Sequence, residues 1–173
     1  GKVMMTIGVT GTARHCKEAY QLAIDHCNAH GGIPDESGIG DNWAHGRFRA
    51  PYLRDPLGSE GYAADTMETA VDWSKVSKAA ENIESAIRTA LSDEGEQVHV
   101  YTHLSHVYGQ GSSIYTTYLF RLGDSYEKGM DRWIKLKQAG AEQIVAIGGT
   151  ISHQHGVGQD HKRYLKSEKG ELG

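Results

Sequence analysis

The sequence predicts an α+β fold, a largely antiparallel sheet covered by helices with ferredoxin-like character, and three observations carry that expectation. Apolar residues recur at helical spacing in three stretches, from Cys16 to Cys27, Val76 to Leu91 and Trp133 to Ile147. Between the second and third, two alternating runs flank Gly109-Gln110-Gly111, the pattern of a β-hairpin. Of the 173 residues 38% are hydrophobic and three are proline, so a folded domain with a continuous core is expected.

Lys2 to Val9 is expected to form the first strand. A helix follows in which Cys16, Ala19, Tyr20, Ala23 and Cys27 share a face until Gly31-Gly32 stops it. The two cysteines would stand about 16 Å apart along its axis, too far to pair, and read as buried, inert thiols of a reducing compartment. From Gly32 to Pro56 glycine, aspartate, arginine and proline dominate, which predicts an irregular segment before a short strand at Gly61 to Asp65. A second helix starts near Asp72 or Ser74 and ends near Gly95, with Val76, Ala79, Ala80, Ile83, Ile87, Ala90 and Leu91 on its apolar side. In the hairpin, Val98, Val100, Thr102 and Leu104 alternate with His99, Tyr101 and His103. Ile114, Thr116, Tyr118 and Phe120 alternate with Tyr115, Thr117 and Leu119, so Tyr115 projects from the face opposite Ile114, and Tyr118 belongs to the packing side. The third helix begins near Ser125, turns Trp133, Leu136, Gly140, Ile144 and Ile147 inward, and stops at Gly148-Gly149.

Charge and hydropathy narrow the function. With 18 basic and 22 acidic side chains the formal charge is −4, and the basic residues are dispersed apart from a solvated run at 162–169, so no nucleic-acid partner is expected. No apolar run reaches the roughly 20 residues that span a bilayer, and no signal-peptide pattern opens the chain. The expectation is a soluble, cytoplasmic protein, with any membrane association supplied by regions outside this stretch. A start at Gly1 and a stop in Gly170-Glu171-Leu172-Gly173 suggest breaks in a longer polypeptide.

Gly148-Gly149-Thr150-Ile151-Ser152-His153-Gln154-His155-Gly156-Val157-Gly158 is the segment richest in chemistry. Its glycines permit positive φ and close approach by a ligand, and its two imidazoles exchange protons near neutral pH. Gly8-Val9-Thr10-Gly11 follows an expected strand, but no G-x-G-x-x-G or phosphate-loop lysine completes it, so no nicotinamide or P-loop site is read there. Metal ligation by His153 and His155 is disfavoured, because no neighbouring cysteine or histidine cluster completes a shell and Asp160 alone would not suffice. The chain therefore reads as one half of an active site.

The motifs Trp43-x3-Arg47-Phe48-x2-Pro51-Tyr52-Leu53-Arg54-Asp55, Gly61-Tyr62-Ala63-Ala64-Asp65-Thr66-x-Glu68-Thr69-Ala70-x2-Trp73, Ser105-His106-x-Tyr108, Gly111-x2-Ile114-Tyr115 and Gly148 to Gly158 carry a family resemblance. In that order and spacing the chain resembles the C-terminal, or cap, domain of vanillyl-alcohol-oxidase-type FAD-linked oxidases, and most of all the alkyldihydroxyacetonephosphate synthase (alkylglycerone phosphate synthase) branch. The resemblance implies that residues 1–173 are a partial cap domain, with an N-terminal FAD-binding domain and a last C-terminal segment outside it. It implies FAD gripped mainly by that other domain of the same polypeptide, a small phosphorylated or carboxylated substrate, a fatty alcohol as co-substrate, and a fragment inactive by itself. A homodimer is compatible with it.

Residue by residue, the resemblance implies that Arg54 contacts substrate phosphate and that Tyr115 transfers a proton at the substrate carbon. Arg54 offers a planar, permanently charged fork, the alternative being a salt bridge to Asp55 or Glu68. Arg47 is a second substrate candidate, with surface packing as its alternative. His153, Gln154 and His155 match a triple-histidine turn whose middle histidine is glutamine here, and with Gly156 they would face the flavin. Glutamine can orient a ligand but cannot exchange a proton. His155-Gly156-Val157-Gly158 also resembles a signature of FAD-dependent hydroxyacid dehydrogenases, which makes His155 the safer catalytic candidate beside Tyr115 and His153, while His103 and His106 flank the hairpin; Tyr115 and His155 are expected to converge on one pocket. Two enzyme chemistries stay open: exchange of an acyl group for a fatty alcohol through an adduct at flavin N5, and oxidation of a hydroxyacid or polyol phosphate by hydride transfer. A non-catalytic interaction module is the third class.

Overall fold

The computed structural model describes residues 4–35 and 38–171, in two compact units that meet between Leu53 and Arg54. In the first, the Thr12 hydroxyl accepts from the His15 N–H at 3.4 Å and caps α1 (Ala13–Ala29), which ends where a glycine pair follows. None of its residues is buried, and Cys16 and Cys27 are half-buried free thiols rather than core. The strand expected over Lys2 to Val9 is not formed: residues 4–10 are irregular, and Lys2 and Val3 lie outside the described residues. A strand needs a partner ladder, and no other strand exists among the described residues of this unit. The expected irregular segment is instead largely helical, as α2 (Ile39–Gly46), a 3-10 turn at Arg47–Leu53 that contains Pro51, and, opening the second unit, α3 (Arg54–Ser59).

The second unit then runs β1 (Tyr62–Asp72), α4 (Val76–Thr89), β2 (His99–His103), β3 (Gly111–Arg121), α5 (Tyr126–Ile147), α6 (Gly158–His161) and α7 (Leu165–Lys169). Its three strands are antiparallel in the order β1-β3-β2, the ferredoxin-like arrangement without a regular fourth strand. Met67, Ile114, Thr116, Tyr118, Phe120 and Val100 point to one face, where Ile83 and Ile87 of α4 and Leu136 and Ile144 of α5 bury themselves against them. Each such large apolar side chain contributes about 1.5–3 kcal/mol on burial. β1 is 11 residues long where a short strand was expected, because Thr66, Glu68 and Ala70 on its outer face blur the apolar-polar contrast with Met67, Thr69 and Val71.

Two glycines convert the end of α5 into an edge for this sheet. Gly148 takes φ +69 as the left-handed cap, and its neighbour Gly149 leaves no room for a side chain, since a Cβ there would lie 2.5 Å from Thr69 Oγ1. The chain then docks antiparallel on the free edge of β1, with Thr150 N–H donating to Ala70 O at 3.3 Å and His153 N–H to Glu68 O at 3.1 Å. The Thr69 hydroxyl donates to Thr150 O at 2.7 Å. A short glycine-hinged segment thus takes the place of the fourth strand.

The other end of α5 is held by charge. Glu94, on the turn before β2, receives Lys128 Nζ at 2.9 Å, Lys135 Nζ at 2.9 Å and Arg132 Nε at 2.8 Å, while Arg132 also reaches Glu96 at 3.0 Å and Arg121 O at 2.9 Å. Hydrogen bonds from Lys128, Lys135 and Arg132 pull the Glu94 carboxyl from 4.5 to about 2. A depressed folded value stabilises the fold above the ordinary one and is lost as pH falls through the folded one. Glu94→Gln should therefore lower stability by a constant amount above pH 4.5, and the gap to wild type should close as pH drops toward about 2. Urea denaturation across that range checks it, and a pH-independent gap would mean that the network acts by packing alone.

Candidate functional site

The register places His103, Tyr115 and Glu68 in one row across β2, β3 and β1, on the sheet face opposite the core. Glu68 is the residue around which the row is organised. Its side chain is 1% exposed. Glu68 Oε1 accepts from the Ser105 hydroxyl, which in turn lies 2.6 Å from Ser113 Oγ. Three imidazoles close around the same carboxylate: His153 Nδ1 at 3.3 Å and His106 Nδ1 at 3.6 Å from Oε1, and His155 Nε2 at 3.4 Å from Oε2. Burial opposes ionisation of Glu68, but hydrogen bonding from Ser105 and Ser113 and the neighbouring His153 imidazole together outweigh it and hold the carboxyl below its usual range.

The groups around Glu68 arrive on two separate loops and the start of β3. Ser105, His106 and Tyr108 sit on the loop between β2 and β3, which is fastened where Ser113 N–H donates to His106 O at 2.8 Å and Tyr108 N–H to Gly111 O at 2.8 Å. The Trp73 indole N–H donates to Tyr108 O at 3.1 Å, tying this loop to the end of β1. His153 and His155 come from the glycine turn after α5, where Ser152 Oγ donates to Gly156 O at 2.7 Å. Between them Gln154 takes φ +64, unusual for a residue with a side chain, and Gly156 takes φ +72. That left-handed step lets both imidazoles fold back toward Glu68 while Gln154 faces outward, exposed. His153 Nε2 shares a 3.2 Å hydrogen bond with the Tyr108 hydroxyl.

Tyr115 and His155 meet, their ring centroids 5.4 Å apart at 82°, and His103 stacks on the other side of Tyr115 at 5.0 Å. The Tyr115 hydroxyl donates to Thr66 Oγ1 at 3.3 Å. Tyr118, by contrast, is fully buried on the core face, where its hydroxyl donates to Asp65 at 3.2 Å. Two cavities of this unit lie at the far end of the strands, one of about 720 Å³ along Tyr62, His99, Leu119 and Arg121, and another of about 650 Å³ along Ala63, Phe120, Trp133 and Met130. Neither is lined by Glu68, Tyr115 or His155, which share the open sheet face.

The arginines are elsewhere. Arg54 is exposed in the first turn of α3 and makes no ion pair among the described residues, neither with Asp55 nor with Glu68, whose neighbours are the serines and imidazoles. Arg47 belongs to the first unit, where its guanidinium lies 4.6 Å from the Phe48 ring centre and 5.8 Å from that of Trp43. Glu68 entered the sequence reading only as a bridge partner for Arg54. The signal that could have singled it out is a glutamate in the middle of a strand, a position where glutamate is disfavoured unless something holds it.

Replacing Glu68 by glutamine keeps the shape but leaves the converging donors one weak acceptor oxygen. Glu68→Gln should cost about 1–3 kcal/mol in chemical denaturation at neutral pH. It should also speed hydrogen exchange at the His153 amide, and unchanged values for both would remove Glu68 from the centre of the site.

All residues 1–173 match the family model for the C-terminal domain of FAD linked oxidases. Among curated proteins, the chain is similar to the alkyldihydroxyacetonephosphate synthase of Dictyostelium discoideum, 30% identical over 129 residues, covering 75% of this chain and 21% of that protein. It is likewise similar to the Caenorhabditis elegans protein of the same name, 28% identical over 128 residues and covering 73% and 21%. A solved structure of an alkyldihydroxyacetonephosphate synthase superposes with a TM-score of 0.66 at 20% identity, over 91% of this chain and 28% of that one, a likeness of fold. The chain thus spans about a fifth of the length of these curated relatives.

Proposed function

The chain belongs to the family of FAD-linked oxidase C-terminal domains, and from that membership we propose that it is the substrate-side domain of an alkyldihydroxyacetonephosphate-synthase-like enzyme. The reaction we propose exchanges an acyl group for a fatty alcohol on a phosphorylated small molecule. The single observation that carries it is the meeting of Tyr115 and His155 on the open sheet face, backed by Glu68. The curated synthases it is similar to support the same reading.

The face suits a flavin because its exposed groups are aromatic and hydrogen-bonding, while its one carboxylate is withdrawn beneath them. His153, Gln154, His155 and Gly156 would hold the ring from this side, and the FAD-binding domain of the same polypeptide would grip the rest. The flavin, when bound, supplies the redox and electrophilic chemistry that side chains lack. This chain's own residues move protons. His155 turns Nε2 toward the Glu68 carboxylate, which favours the proton on that nitrogen and leaves Nδ1 as the base. The Tyr115 hydroxyl, edge-on to that ring, is the second group in the transfer, and His103 stacked behind it fixes the phenol plane. Arg54, unengaged by any carboxylate among the described residues, is the phosphate ligand in this reading.

One observation favours a second reading, oxidation of a hydroxyacid or polyol phosphate. Gln154 occupies the outermost point of the turn, where it can hydrogen-bond but not exchange a proton, so His155 would stand as sole base. Product analysis of the full-length, FAD-loaded protein separates the two: incorporation of fatty alcohol supports the synthase, whereas reduction of an electron acceptor with no ether product overturns it. Tyr115→Phe and His155→Ala should each lower kcat by roughly 10²–10⁴. Arg54→Ala should mainly raise KM for the phosphorylated substrate. Unchanged kinetics in all three would reject the assignment of roles.

A further inference from the structure

We propose that Glu68, His106 and His153 form a binding site for one divalent transition-metal ion, zinc being the ion that best suits the donors. Each of the three offers one ligand atom, and these atoms all lie within 4.8 Å of one another. Two of the three separations are 3.3 and 3.6 Å. Ligands bound tetrahedrally at about 2.0–2.2 Å stand roughly 3.3–3.6 Å apart, so two edges of the coordination figure are already at their bound length. Two imidazole nitrogens with one carboxylate oxygen suit zinc and its neighbours, not calcium or magnesium, which prefer all-oxygen shells.

A second observation points to the same place. His153 Nδ1 is buried and has no properly directed hydrogen bond, although Glu68 Oε1 is only 3.3 Å away. A buried polar atom left this way costs about 1–3 kcal/mol, and a cation between the two atoms would satisfy both. Outer partners are also in place. Tyr108 holds the other nitrogen of His153 at 3.2 Å, so that Nε2 can carry the ring proton while Nδ1 offers its lone pair. Ser105 and Ser113 hold the carboxylate, and His155 lies on its second oxygen. His106 is 46% exposed, which gives the ion a way in and leaves a coordination position open to solvent or to an oxygen of a bound molecule. The three ligands come from β1, the β2–β3 loop and the turn after α5, so one ion would tie together the segments that build the site.

The inference stands on donor geometry, and His153 is the residue it shares with the flavin reading. The test is titration of the full-length protein, stripped of metal, with Zn²⁺ against a chromophoric chelator. One equivalent should bind, and Co²⁺ in its place should give the intense visible absorption of a four-coordinate site. His106→Ala, at a half-exposed loop position where the fold is kept, and His153→Ala should each weaken Zn²⁺ binding roughly tenfold or more. His99→Ala, an exposed histidine at the other end of β2, should leave it unchanged. Substoichiometric binding, affinity unaltered by the first two substitutions, or an equal loss with His99→Ala would overturn the proposal. Flavin content measured on the same samples tests the other reading separately.

Discussion

A buried carboxylate with more donors than it can fully satisfy organises this domain. Glu68 sits in the middle of a strand, its side chain 1% exposed, and is kept ionised because Ser105, Ser113 and His153 together outweigh the cost of burial. The groups that meet it lie on the loop after β2, on the start of β3 and on the turn after α5, far from it in sequence. Removing the carboxylate would leave those segments held by backbone docking and by the Thr69, Trp73 and Tyr108 side-chain hydrogen bonds. The same charge sets the orientation of His155 and His153, and through His155 the surroundings of Tyr115. Stability and chemistry therefore draw on one interaction.

That arrangement depends on the missing fourth strand. A regular strand on the β1 edge would alternate its side chains and send every second one into the core. The glycine-hinged segment instead pairs only at Thr150 and His153, then reverses through Gln154 at φ +64. Two imidazoles two residues apart can then reach opposite oxygens of one carboxylate. Gly149 makes this possible from beneath, since any side chain there would collide with Thr69 and lift the segment off the edge. Local irregularity is concentrated where the ligand-facing groups are.

Much of this was legible in the sequence, for physical reasons that differ from residue to residue. Ser125 capping α5, the Gly148-Gly149 stop and the placing of Tyr115 opposite Ile114 all follow from local rules, and the structure has them. The strand expected at Lys2 to Val9 failed because pairing is not a local property, and the helical turns over 39–59 were hidden by glycines and prolines that short helices tolerate at their ends. Tyr115 and His155 were expected to converge, since a hairpin strand can project the phenol and the glycine turn after the third helix can bring the imidazole over it, and their rings do meet. Glu68 and His106 were in view as residues but not as a pair with His153, because nothing in spacing says that a mid-strand carboxylate, a hairpin loop and a post-helix turn share one point. For the same reason the sequence offered no metal shell.

Charge arithmetic connects the two readings of the site. The ionised Glu68 carboxylate brings one negative charge to the cluster. A divalent ion at the same point leaves it at plus one, with a coordination position directed outward past the half-exposed His106. Under the metal proposal the cluster itself becomes the anion-attracting element of the open face, and Arg54 on α3 need not be the first group a phosphate meets. Under the proton-transfer reading alone, the cluster contributes no net attraction and the arginine must. The two cases differ in where binding energy for an anionic substrate originates, so Zn²⁺ loading should change KM for a phosphorylated substrate more than kcat if the ion receives the anion. A change confined to kcat would place the ion's influence on the Tyr115–His155 pair instead.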